Sequence, residues 1–150
     1  MHAWSVHNQT NCTIILSMNK LDKAFKIALE ARENAYAPYS NFKVGAALAV
    51  KNNDKIFPGC NVENASYGGT ICAERTAIVS SVAALGRVEY DFCVVVTGSK
   101  PASPPCALCL QVFSEFCPPD FPIYLASPAG IEKTMLLKEL LPVPFNKIPE

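Results

Sequence analysis

A thiol and a carboxyl stand two positions apart in Cys72-Ala73-Glu74-Arg75, at the head of an apolar, helix-patterned run ending near Gly86. In the first turn of a helix such groups meet unpaired backbone N–H groups and the positive end of the dipole, which favours the metal-binding thiolate. Partners lie downstream in Pro105-Cys106-Ala107-Leu108-Cys109, whose thiols at i and i+3 share one face of a second helical pattern. Three thiolates, from Cys72, Cys106 and Cys109, would give Zn²⁺ three protein ligands and leave the fourth position to water. That is the arrangement of a catalytic site rather than a structural one. Glu74, beside one ligand, is placed to handle the proton of that water. Three thiolates on Zn²⁺ also leave a net −1, which opposes ionisation of the water. A guanidinium at Arg75, hydrogen-bonded to a ligand sulfur, would offset that charge and tune the metal.

The same residues have plainer readings. Cys106 and Cys109 could be a redox pair or two buried thiols behaving as small hydrophobes. A structural four-cysteine site could take Cys60 or Cys117 as its fourth ligand, but neither has a paired spacing and Glu74 would be left unexplained. Glu74 could be an ordinary first-turn glutamate, and Arg75 a solvated charge. A further polar stretch, Asn61-Val62-Glu63-Asn64-Ala65-Ser66-Tyr67, precedes the metal helix. An amide that donates and a carboxylate that accepts, two positions apart, suit the cis-diol of a ribose.

Cys-Ala-Glu followed by Pro-Cys-x-x-Cys is the zinc deaminase pattern. From about Asn19 to Phe145 the chain resembles the small, homotetrameric cytidine deaminases, and Asn61 to Tyr67 matches that family closely. The resemblance implies zinc-dependent hydrolytic deamination of cytidine and 2′-deoxycytidine in pyrimidine salvage, with one Zn²⁺ per chain and Glu74 as the catalytic acid and base. It implies that Asn61 and Glu63 hold the sugar hydroxyls and that Phe42, in Tyr39-Ser40-Asn41-Phe42-Lys43-Val44-Gly45-Ala46, packs against the pyrimidine. Tyr67 would reach toward a neighbouring subunit's site. Phe145, closing Leu140-Leu141-Pro142-Val143-Pro144-Phe145, would contribute to an adjacent subunit's pocket, so the partners expected are a nucleoside and three further copies sharing active sites. Two positions depart from the family pattern: Ala107 stands where Gly is usual, and Leu110 where Arg is usual. The loss of that positive charge leaves Arg75 as the compensating residue. Rival readings are a deaminase of another aminopyrimidine nucleoside such as blasticidin S, and a non-enzymatic zinc or redox module.

The elements that must carry these residues follow from periodicity. Asn19 reads as an N-cap, with Leu21, Ala24, Phe25, Ala28 and Ala31 at helical spacing, Ala35 and Tyr36 extending the face, and Pro38 stopping it. Strands are expected at 42–50 and 55–60, with the first apolar throughout and covered on both faces. A helix over 72–85, a strand at 92–97 and a helix over 106–116 follow, the last introduced by Pro101, Pro104 and Pro105. Strands at 123–126 and 133–136 and a helical turn at 137–141 complete the order α-β-β-α-β-α-β-β-α. The predicted fold is α/β, a three-layer α-β-α arrangement of the cytidine deaminase type, with one mixed five-stranded sheet and helices on both faces. Residues 1–18, which show no periodicity, read as an N-terminal extension open to disorder, with Met18 as an alternative start, and 19–150 as one domain.

Composition narrows the function. Lys plus Arg equals Asp plus Glu at 13 each, so no basic excess attracts nucleic acid. Seven cysteines, an odd set, with no convincing secretory signal, point to reduced thiols in the cytoplasm. No apolar run approaches the ~18 residues that a membrane span needs.

Overall fold

The central strand sets the layering. The computed structural model describes residues 19–148 and places β1 (Val44–Val50) inside a five-stranded sheet of order β2-β1-β3-β4-β5. The proposed N-terminal extension over 1–18 lies outside the described residues. β1 pairs antiparallel with β2 (Ile56–Cys60) and with β3 (Tyr90–Thr97), β3 runs parallel to β4 (Pro122–Ser127), and β4 turns back into β5 (Gly130–Leu136). Every residue of β1 after Val44 is buried, as its uninterrupted apolar run requires.

Alternate β1 residues feed two cores. Ala46, Leu48 and Val50 pack with Ala77 and Ile78 of α2 (Ala73–Leu85) and with Phe113 of α3 (Ala107–Phe116). Ala47 packs with Ala24 and Ala28 of α1 (Lys20–Glu33) and with Val94 and Val96 of β3. Helices therefore cover both faces, and a short α4 (Leu137–Leu140) follows β5. The sheet is mixed and the layers are α-β-α, as the element order predicts.

Two glycines permit the closest approaches of helix to sheet. A Cβ on Gly45 would stand 2.0 Å from the carbonyl oxygen of Ala28 in α1, and one on Gly59 would stand 2.1 Å from that of Ala73 in α2. Both obstacles are backbone and cannot swing aside. Gly45→Ala should therefore lower unfolding free energy by at least about 2 kcal/mol, read as a reduced midpoint in urea with unchanged slope.

α1 ends earlier than its apolar face suggests. Asn34 is its C-cap, and the chain leaves the helix well before Pro38. Tyr36 instead donates its N–H to the carbonyl of Asn61 (3.0 Å) and accepts from the N–H of Glu63 (2.8 Å). These backbone bonds to a distant loop outcompete another helical turn. β3 and β5 likewise begin at Tyr90 and Gly130, ahead of the predicted 92 and 133, because pairing partners on β1 and β4 extend them.

Candidate active site

α2 and α3 begin on the same side of the sheet, each with a cysteine at its N-cap. Neither the Cys72 nor the Cys106 side chain caps its helix. Their sulfurs meet each other at 3.7 Å, and Cys106 Sγ lies 3.6 Å from Cys109 Sγ. All three ligand atoms fall within 4.8 Å of one another. A tetrahedral zinc with Zn–S bonds of ~2.3 Å separates its sulfurs by roughly 3.8 Å, so the cluster matches the ion it would hold. Two helix N-termini add positive potential beside the sulfurs.

The alternative fourth ligands stand apart from this cluster. Among the described residues, the group able to hold a metal comprises Cys72, Cys106 and Cys109 alone. Cys117 is buried in the apolar core, and burial pushes its thiol up to about 12. Cys60 lines a separate groove of ≈ 470 Å³ between α1, β2 and α2.

Glu74 sits in the first turn of α2, only 4% exposed. Its Oε2 is 3.6 Å from Cys109 Sγ. Burial, reinforced by the neighbouring Cys72 thiolate, raises its carboxyl from 4.5 to about 7. A group with that affinity can both take and return a proton near neutrality. Cys72 is held down to about 5, first by the hydrogen bond to the Cys109 thiol and then by Arg75. Its bond to Cys72, burial and Glu74 push Cys109 the other way, so Cys109 is the proton donor of the pair.

Arg75 donates from one terminal nitrogen to the carbonyl of Thr70 (2.9 Å) and toward Cys72 Sγ (3.6 Å). Leu110, where the family's arginine is usual, is 6% exposed and packs into the core with Phe113. It supplies volume, not charge, and Arg75 is the guanidinium at the sulfurs.

A cavity of ≈ 260 Å³ opens beside Cys72, Glu74 and Cys106 and reaches Phe42, Asn61 and Glu63. The structure thus brings six of the sequence-predicted residues to one space. Asn61 is braced by β1: its Oδ1 accepts from Val44 N–H and its Nδ2 donates to the Phe42 carbonyl, both at 2.8 Å. One N–H and one lone pair remain for a ligand. Glu63 accepts from the backbone N–H groups of Tyr39 (2.8 Å) and Ser40 (3.2 Å) and from the Ser40 hydroxyl. The Ser40 hydroxyl bond is the main reason that its carboxyl lies below the ordinary value.

Tyr67 lies outside this cavity. It is 75% exposed, stacks edge-on against Tyr39 at 5.8 Å, and lines an adjoining cavity of ≈ 270 Å³ that shares Ser40, Glu63 and Thr70. Phe145 is 66% exposed on the C-terminal tail and lines neither cavity.

Sequence reasoning missed Ser40, Thr97, Ser103 and Pro104, which also line the site. Thr97 is buried at the end of β3, and its hydroxyl accepts from the N–H of Ser103 (3.0 Å). Glu132 of β5 accepts from the N–H of Ala102 (2.8 Å), so the loop delivering Cys106 is tied at two points. The proline-rich approach to α3 was the available signal; the Glu132 carboxylate lies too far from Ala102 in sequence to be paired by spacing.

Residues 18–125 match the family described as the cytidine and deoxycytidylate deaminase zinc-binding region. A cytidine deaminase from Halalkalibacterium halodurans is 46% identical over 121 residues, covering 81% of this chain and 90% of that protein. A probable cytidine deaminase from Dictyostelium discoideum is 37% identical over 133 residues, 88% of each. The crystal structure of cytidine deaminase from Burkholderia pseudomallei superposes with a TM-score of 0.77 at 44% identity, covering 82% of this chain and 97% of that one. Matched by that family over residues 18–125 and by a relative 46% identical across most of both lengths, the chain belongs to the cytidine and deoxycytidylate deaminase family.

Proposed function

We propose that the chain hydrolyses cytidine and 2′-deoxycytidine to uridine and 2′-deoxyuridine with release of ammonia, using Zn²⁺ held by Cys72, Cys106 and Cys109. The observation that carries this is the buried Glu74 carboxyl, 3.6 Å from a cluster sulfur, at the wall of a small-molecule cavity. Bound zinc supplies Lewis acidity, acidifying a water so that hydroxide is available near neutral pH.

The chain's own groups do the rest. Glu74 takes a proton from the water and gives it to ring N3, which makes C4 electrophilic. Hydroxide adds to C4, and Glu74 then carries the proton of the new hydroxyl to the departing amine. Water is consumed, the C4–N bond breaks, and ammonia leaves. Phe42 packs against the pyrimidine. Asn61 and Glu63 hold the ribose hydroxyls, their side chains fixed beforehand by β1 and by the Tyr39–Ser40 turn.

Tyr67 and Phe145, exposed and outside the cavity of their own chain, complete the sites of neighbouring copies in a homotetramer. The protein works in the cytoplasm in pyrimidine salvage, as one domain over 19–150. No helix among the described residues is long and apolar enough to cross a membrane.

The test is a panel of cytidine, 2′-deoxycytidine, blasticidin S and deoxycytidylate given to zinc-loaded protein, with absorbance change and ammonia release measured. Turnover of the first two above the others supports the reading. Preference for blasticidin S moves it to the rival substrate, and no ammonia from any of them removes it. Arg75→Gln should lower zinc affinity or turnover about 10- to 100-fold, read by chelator competition and initial rates. Unchanged values in both would dismiss its electrostatic role.

A further inference from the structure

The C-terminal tail runs along α3, held against Gln111 and beside Ser114. Pro142, Pro144 and Asn146 border a cavity of ≈ 300 Å³ that Ser114 and Cys117 also line, with Pro144 half-buried and the other two exposed. Val143 and Phe145 turn outward, 86% and 66% exposed. Residues 141–148 contain no helix or strand, so something other than a backbone ladder must keep this register.

Gln111 keeps it. Its Nε2 donates to the carbonyl of Phe145 (2.6 Å), and its Oε1 accepts from the N–H of the same residue (3.1 Å). One planar amide thereby satisfies both backbone groups of Phe145, as the opposite residue does in a hydrogen-bonded antiparallel pair. The amide is itself oriented. Nε2 donates its second hydrogen to Ser114 Oγ (3.3 Å), whose own proton goes to the Gln111 carbonyl (2.7 Å). Pro144 adds a fixed φ immediately before the clamped residue.

A phenylalanine on an irregular tail ordinarily loses backbone and rotamer freedom when it docks, and that cost weakens binding. Here the backbone is ordered in advance and only the ring projects. Gln111 lies two residues beyond Cys109 on α3, so the helix that carries two cluster sulfurs also aims the ring.

We infer that Gln111 is a positioning residue that holds Phe145 ready for the nucleoside site of a second copy of the chain, which rests on the shared-site reading above. The experiment compares full-length, zinc-loaded wild type with Gln111→Ala, Gln111→Glu, Phe145→Ala and the double alanine variant. KM and kcat for cytidine, zinc content and melting temperature are measured for each.

Phe145→Ala should raise KM about 10-fold with kcat within about 2-fold of wild type. Gln111→Ala should raise KM about 3- to 10-fold, the range set by re-ordering one side chain and its backbone. Gln111→Glu, which keeps the acceptor for the N–H but sets a carboxylate oxygen against the Phe145 carbonyl, should raise KM at least as much as Gln111→Ala. The double variant should be no worse than Phe145→Ala, because both changes remove one contact. Wild-type KM in both Gln111 variants beside a raised KM in Phe145→Ala overturns the inference and leaves the shared site standing. Additive losses in the double variant overturn it too, since Gln111 would then act by another route. Wild-type KM in Phe145→Ala removes the shared site and the inference together.

Discussion

Glu74→Gln should leave a folded, zinc-bearing protein whose kcat for cytidine is at least about 10³-fold below wild type. Glutamine keeps the volume and the hydrogen-bonding shape of the buried carboxyl but can neither take a proton nor return one. A single positioned acid or base is worth about 10² to 10⁴ in rate, and here one group serves both steps. The same substitution should strengthen the metal-free fold. Burial raises the Glu74 carboxyl from 4.5 to about 7, so the folded chain binds this proton more tightly than the unfolded chain. Such a group penalises the folded state as pH climbs past the unfolded value, and the penalty levels off above the folded one. At pH 8 it amounts to about 3 kcal/mol. Zinc-stripped Glu74→Gln should therefore melt higher than zinc-stripped wild type at pH 8 and about equally at pH 4. Near wild-type turnover in Glu74→Gln would take the acid–base role away from this residue.

Cys106→Ser should cost nearly all of the bound metal and, with it, more than about 100-fold in turnover. Cys106 is exposed and contributes little to the core, whereas Cys109 is fully buried and its loss would mix metal and packing effects. The readouts are zinc per chain after dialysis and the rate at saturating cytidine. Zinc-loaded wild type should also melt above its stripped form, and this gap should close in Cys106→Ser, since metal that binds the folded state alone stabilises by mass action. Full zinc retention would mean that another donor replaces this sulfur.

What the sequence makes legible here is whatever a helix or a strand carries within a few residues. Cys72 and Glu74 share one turn, as do Cys106 and Cys109, so periodicity alone places each pair at a helix start. The apolar run of β1 announces a strand buried on both faces. The meeting of the two helix starts is written nowhere locally. It arises because β1 lies between β2 and β3 while β4 joins β3 in parallel, which sets α2 and α3 on the same face. The bond between Ser40 and Glu63 spans 23 residues, and the Gln111–Phe145 clamp spans 34. Contacts at such separation come from topology, and spacing rules are blind to them. The early end of α1 has the same origin: Tyr36 is claimed by the 61–63 loop, and local propensity yields to a distant partner.

The central claim is that zinc is gripped by three sulfurs with one position left open beside Glu74. X-ray absorption at the zinc edge of the purified, zinc-loaded protein tests it most directly. The account predicts three sulfur neighbours at ~2.3 Å and one oxygen or nitrogen at ~2.0 Å. A shell of four sulfurs, or a shell with no sulfur, would contradict it.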